Sequence, residues 1–256
     1  MSKAEKEFFE AVANRGEYDV LPEAFYDRII QNTIGRLPSG AVIIDVGCGS
    51  GAWSARILER GHAVIGIDVS KGMIRNARRL FKDRRKDFFG VCGHAENLPF
   101  RHGAIDCVFY GFSLHHVPNI PSALREVYRC LKPEGSVILV EPNGSNPIRL
   151  LSSVAGKLFD RTKARSFQSP AERPLKVSLV NKVLSGCGFR VIEVSMDFTI
   201  VRSRSGGRDT IVTTRDLLLN LASRLLPSVC GGVNFIVMAR TSVQKASGSD
   251  YNKRSP

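Results

Sequence analysis

No stretch of this 256-residue chain approaches the run of about eighteen apolar residues that a membrane-crossing helix needs. The opening segment, "MSKAEKEFFE", is charged throughout and lacks the apolar centre of a secretory signal. The 6 cysteines stand at 48, 92, 107, 130, 187 and 230, and no two of them form a C-x-x-C pair. That spacing argues against a zinc site or a disulfide framework, so buried thiols in a reducing, cytoplasmic setting are expected, with no metal. Internal repeats are also missing. What remains is one domain with insertions, long enough to bury a substantial core.

Acidic residues are outnumbered. Lys and Arg total 37 against 24 Asp and Glu, giving a formal net charge of +13. Such an excess suits RNA, an anionic membrane surface or an acidic substrate, and equally a well-solvated surface. Charge alone does not choose a chemistry.

Two helices are read at the N-terminus (1–37): "KAEKEFFEAVA", and "LPEAFYDRIIQNTIGRL" with Pro22 in its first turn. Strands and helices then alternate. "AVIIDV", "AVIGID", "DFFGVCG", "AIDCVFYG" and "SVILVE" are short apolar strands of the kind buried on both faces of a parallel sheet. Between them lie helices at "AWSARILERG", at "SKGMIRNARRLFKD" with Ser70 as N-cap, and at "IPSALREVYRCL", stopped by "KPEG". "KVSLVNKVLSGCGF" is a further helix, and "RVIEVSMDFTI" and "VNFIVMAR" are the last strands. The alternation predicts a doubly wound α/β sheet with right-handed crossovers. Insertions at 142–175 and 199–231 interrupt the single domain (1–240), each with a helix, and a disordered tail is expected over 241–256.

"IIDVGCGSG" turns from a strand through Gly47, Gly49 and Gly51 into a helix. Such a loop offers bare backbone and a helix N-terminus to a ligand. Gly47, Gly49 and Ala52 also satisfy the dinucleotide pattern G-x-G-x-x-G/A, so the glycines do not discriminate. Asp45 does. Beside a pyrophosphate, at roughly 4–6 Å and an effective dielectric of about 20, its charge costs a few kcal/mol. Beside a cation it stabilises. Asp68, at the end of the second strand, can accept hydrogen bonds from ribose hydroxyls. A nucleoside with a cationic end satisfies both acids, and S-adenosylmethionine is such a molecule.

The stretches "VIIDVGCGSG", "VIGIDVSKGMIRNAR", "GHAENLPFRHGAIDCVF", "LHHVPN" and "LREVYRCLKPEGSVILVEPN" resemble successive motifs of class I S-adenosylmethionine-dependent methyltransferases. The nearest type is the small-molecule group similar to ubiquinone- and menaquinone-biosynthesis methyltransferases. The resemblance covers Ala41 to Asn143. It implies a Rossmann-like methyltransferase fold, a seven-stranded sheet with one antiparallel strand. It also implies that Asp45, Gly47, Gly49 and Gly51 line the methionine end of the cofactor, that Asp68 holds the ribose, and that Val69 and Met73 flank the adenine. The acid that usually meets the adenine amino group is replaced here by His94, with Ala95 and Glu96 as neighbours that can contact the base. Tyr110 is expected to face the methyl donor.

His115 and His116 follow the fourth strand, where an acceptor arrives, and imidazole titrates near neutrality. Either can take a proton from a phenol, hydroxyl or amine, and His115 is favoured. The alternative is that the pair packs the sheet edge. Glu141 can orient substrate or simply hold its own turn. The Asn/Asp-Pro-Pro-aromatic motif of adenine- and cytosine-N-methylating enzymes is missing from "YGFSLHH", and Cys107 reads as a buried strand thiol rather than a nucleophile.

Arg75, Arg78, Arg79, Lys82 and Lys86 make a basic stripe, and Arg149, Lys157, Arg161, Lys163, Arg165 and Arg173 make the first insertion basic. Only Phe159 and Phe167 are interleaved there to stack on bases. The leucine cluster from Leu217 to Leu226 suits a lid over a lipophilic acceptor. The reading is therefore methyl transfer from S-adenosylmethionine to a small lipophilic or aromatic acceptor. The alternatives are a tRNA nucleoside methyltransferase and a non-catalytic S-adenosylmethionine-binding subunit.

Overall fold

The computed structural model of the chain describes residues 3–15, 21–84, 87–146, 173–197 and 234–241. The predicted insertion helices and the tail beyond Thr241 lie outside them, as does Cys230.

Seven strands form one sheet in the order β3-β2-β1-β4-β5-β7-β6. They are β1 (Val42–Val46), β2 (Ala63–Asp68), β3 (Phe88–Cys92), β4 (Ile105–Gly111), β5 (Leu131–Pro142), β6 (Phe189–Asp197) and β7 (Asn234–Thr241). Only β7 runs antiparallel to its two neighbours, β5 and β6. The helices are α1 (Lys3–Arg15), α2 (Glu23–Asn32), α3 (Ala52–Glu59), α4 (Lys71–Leu80), α5 (Ile120–Cys130) and α6 (Val177–Gly186).

Alternate strand residues feed two cores. Ile43, Val64, Phe109 and Ile138 pack with Ile29, Ile57 and Ala77 of α2, α3 and α4. Ile44, Val108, Tyr110 and Leu139 pack with Leu124, Val127 and Leu184 of α5 and α6 on the other face. Burial on both faces is why the central strands read as unbroken apolar runs. Ser70 caps α4 as expected, its hydroxyl accepting from Met73 N at 3.1 Å.

Four local readings shift. The second helix stops at Asn32, where Thr33 leaves helical geometry (φ −121°) and residues 34–36 tighten into a 3₁₀ turn. Pro22 is its N-cap residue rather than part of its first turn. "KPEG" does stop α5 at Cys130, but it also lies within a strand. β5 begins at Leu131 opposite Ile105, and the register jumps before Ser136 pairs with Cys107. Glu134 takes φ 61° in this bulge, and Lys132 Nζ is pinned to Asp106 Oδ1 at 2.7 Å. Thr241, read as the head of the tail, is the buried last residue of β7. Among the thiols, Cys48, Cys107 and Cys130 are buried, whereas Cys92 is exposed and Cys187 half-buried.

The strand order reverses between β1 and β4, so their following loops diverge and open a crevice at the C-terminal ends of the strands. Gly51 (φ +100°) starts α3 there, and a methyl group on it would lie 2.6 Å from Phe81 Cε2. Gly51→Ala should therefore destabilise the protein by about 2–4 kcal/mol, left-handed strain and overpacking combined. A urea melt with an unchanged midpoint would contradict this.

Candidate functional site

The crevice is an open cleft bordered by the loops after β1, β2, β3 and β4 and by α1. Of the residues singled out in the sequence, Gly47, Gly49, Asp68, Val69, Met73, His94, Ala95, Glu96 and His116 line it. Asp45, Gly51, Tyr110 and His115 are not among the lining residues.

The loop after β1 is tied to the end of β2. Gly47 N and Cys48 N donate to Ile67 O at 2.7 and 3.0 Å. Gly47 also permits close approach of the loop after β4, since a methyl on it would meet Ser113 Cβ at 2.4 Å. Asp68 joins the two sides. Its Oδ2 accepts from Gly49 N at 3.0 Å and its Oδ1 from Ser70 N at 2.9 Å. Burial raises its pKa to about 6, against the pull of those N–H groups. Each oxygen keeps a further lone pair for a ligand hydroxyl.

Asp45 lies beneath this floor, fully buried. Ser54 Oγ of α3 donates to its Oδ2 at 2.7 Å, while Oδ1 has no partner among the described residues. Burial, with the Asp68 charge nearby, raises its pKa to about 7. An orphaned carboxylate oxygen under a glycine cradle fits a nucleoside with a cationic end: a positive charge arriving nearby ionises Asp45 and is stabilised by it. It does not fit a pyrophosphate.

Tyr110 is a correction. It is fully buried among the α5-side core residues, and burial pushes its phenol pKa far up. Along β4 it shares the face of Val108, which turns it into that core, and the residues that line the cleft beyond β4 are Phe112 and Ser113. Phe112 holds φ 58°, a costly conformation for a side-chain-bearing residue, and stacks on Phe25 at 6.0 Å.

The two histidines divide. His115 is buried with Nδ1 2.6 Å from Glu141 Oε2. Glu141 Oε1 accepts from Ser113 N at 3.1 Å and Leu114 N at 2.7 Å. Glu141 thus holds the loop after β4 rather than its own turn, and His115, favoured from the sequence, braces it. His116 is the one at the cleft. Its Nδ1 is 2.8 Å from Glu5 Oε1 of α1, and Phe9 of α1 meets its ring edge-on at 5.2 Å. Burial and then His115 lower the His116 pKa, with Glu5 and Glu141 opposing, which favours the neutral imidazole.

Sequence reasoning missed Glu5, Phe9, Phe112, Ser113, Val117 and Pro118. The apolar pair Phe8-Phe9 in an otherwise charged segment was the available signal for α1. Two members of the basic stripe are used internally: Arg78 donates to Gly90 O at 2.7 Å, and Arg75 lies 3.7 Å from Glu10. Among the described residues no group of three or more His, Cys, Asp or Glu could hold a metal, and no helix is long and apolar enough to cross a membrane.

Residues 44–139 match the family described as "Methyltransferase domain". The demethylmenaquinone methyltransferase of Staphylococcus saprophyticus is 30% identical over 189 residues, 66% of this chain and 76% of that one. The enzyme of the same name from Lactococcus lactis is 35% identical over 107 residues, and there the chain spans only 42% of its relative's length. A solved structure of an S-adenosylmethionine-dependent methyltransferase from Aquifex aeolicus superposes with a TM-score of 0.59 at 17% identity, covering 90% of this chain and 97% of that one.

Because Asp45 binds its proton more tightly folded than unfolded, it stabilises the ligand-free protein fully below about pH 3.8. That contribution is lost as pH rises through about 7. Across this window Asp45 adds a slope of up to about 1.4 kcal/mol per pH unit. Asp45→Asn should flatten the slope and raise ligand-free stability at pH 8, as read by chemical denaturation. An identical slope in the variant would place the titration elsewhere.

Proposed function

The chain belongs to the class I S-adenosylmethionine-dependent methyltransferases, and we propose that its acceptor is a small lipophilic or aromatic molecule of the quinol type, with His116 as the group that takes its proton. The observation that carries this reading is the imidazole of His116, which lines the cleft together with Phe9, Phe112, Val117 and Pro118. Those apolar groups suit a ring or a lipid tail. The two relatives named demethylmenaquinone methyltransferase support the same acceptor class.

S-adenosylmethionine supplies an electrophilic methyl group on a sulfonium, already an excellent leaving group. The chain's task is then to hold and orient. Asp68 would accept from ribose hydroxyls, and Gly47 and Gly49 would border the methionine end above Asp45. Val69, Met73 and Ala95 would flank the adenine, with His94 or Glu96 meeting its edge. Alignment of acceptor and methyl can supply roughly 7–11 kcal/mol of the barrier. As the bond to the acceptor forms, the acceptor proton passes to His116 Nε2, and the imidazolium later releases it to solvent.

Two measurements check this. Asp68→Ala should weaken S-adenosylmethionine binding by about tenfold or more in calorimetry, since a charge-assisted pair of hydrogen bonds is lost; unchanged affinity would remove Asp68 from the ribose. Protein incubated with methyl-labelled S-adenosylmethionine should transfer label to a reduced naphthoquinol in detergent and not to bulk tRNA. Label in the tRNA with a steep salt dependence would replace the quinol by RNA. Binding without transfer to any fraction of a cell extract would make the chain an accessory subunit.

A further inference from the structure

One face of α1 reaches the cleft. Glu5, Phe9, Val12 and Ala13 recur at helical spacing, so they share that face. Its C-terminal part is bound to α4. Glu10 Oε2 accepts from Ser70 Oγ at 2.5 Å, and both Glu10 oxygens accept from Gly72 N at 3.1 Å. Asn76 Nδ2 donates to Ala13 O at 3.0 Å. Gly72 lets the helices touch, since a methyl on it would sit 2.8 Å from Ala13 Cβ. Val12, Ala13 and Met73 form a small core with Phe8 and Phe9 packed on it. The same α4 N-terminus carries Ser70, whose N–H donates to Asp68. α1 is thereby fixed to the elements that line the nucleoside end, and its other end carries Glu5 to His116.

Glu5 is fully buried. A carboxylate in that state needs donors, and the imidazole Nδ1 at 2.8 Å is one. When Nδ1–H donates to a carboxylate, Nε2 carries the lone pair. Among the described residues the groups that face His116 are Glu5 from α1, His115 from the same turn, with ring centres 4.0 Å apart, and Glu141 from β5. Glu141 is engaged by His115, Ser113 and Leu114. The contact made on Nδ1 itself, 2.8 Å long, is to Glu5.

We propose that Glu5 is a positioning residue for His116, fixing its Nδ1–H tautomer, so that the proton acceptor of the site is complete only while α1 is docked on α4. The proposal rests on the reading that His116 takes the acceptor proton. It adds that the N-terminal helix, which lies outside the residues matched to the methyltransferase family, is part of the reaction site.

The direct test is imidazole ¹⁵N NMR of the full chain, with and without S-adenosylhomocysteine, in the wild type, Glu5→Gln and Glu5→Ala, using His116→Asn for assignment. In the wild type His116 should be the Nδ1–H tautomer. In Glu5→Gln its titration midpoint should fall by about half a pH unit or more. In Glu5→Ala the Nε2–H tautomer should appear, with S-adenosylhomocysteine affinity retained within about twofold. Turnover in both variants should fall by about tenfold with the KM for S-adenosylmethionine unchanged. A wild-type His116 in the Nε2–H form overturns the proposal even if both variants misfold. So does a midpoint and tautomer that ignore Glu5 in well-folded variants. Failure of the wild type to bind S-adenosylhomocysteine would instead strike the methyltransferase site itself, because the tautomer is read without ligand.

Discussion

Between β1 and β4 the chain crosses from one half of the sheet to the other, and the loops that leave these strands must part. Everything at the site sits in the gap that results. A parallel sheet with both faces covered leaves the strand ends as the only place where backbone N–H groups and acidic side chains can meet a ligand. The gap is narrowed as well as opened. Gly47 lets the loop after β4 approach to contact distance at Ser113, and Glu141 binds that loop through three contacts. The loops after β1 and β4 and the end of β5 are thus tied to one another at the cleft.

The electrostatics of that gap are unusual for ligand-free protein. Two carboxylates, Asp45 and Asp68, are drawn out of water, and both have raised pKa values. Asp68 is compensated by backbone N–H groups, whereas Asp45 has a hydroxyl on one oxygen and nothing described on the other. Such a group stabilises little by itself. A cation bound nearby would supply the counter-ion that its second oxygen lacks among the described residues. An acid at this place in a phosphate-type loop is electrostatically better suited to a cation than to a phosphate.

Most of the α/β core was legible because a central parallel strand has a single reading: a short apolar run ended by glycine or aspartate. The candidate residues Gly47, Gly49, Asp68 and Val69 that line the cleft were legible for the same reason, since they sit at strand ends and in the loops beside them. The errors fall where distant segments decide. "KPEG" stops α5 as read, but it also carries the bulge of β5, where Lys132 pairs with Asp106 across the sheet. Tyr110 turns inward because it shares the face of Val108 along β4, and the chain reaches the opening only after the left-handed turn at Phe112. His115 and His116 are adjacent in sequence and equivalent there; only the positions of Glu141 and Glu5 separate a buried brace from a cleft-lining imidazole. Glu5 itself is more than a hundred residues from its partner, and nothing within "KAEKEFFEAV" announces that contact.

Burial raises the Asp45 pKa to about 7, so a cation bound beside it should draw its proton off. Calorimetry of S-adenosylmethionine binding at pH 6.5, repeated in buffers of different ionisation enthalpy, measures this directly. Net release of protons on binding is expected, lost in Asp45→Asn. Binding with no proton release by the wild type, or the same release by the variant, would contradict it.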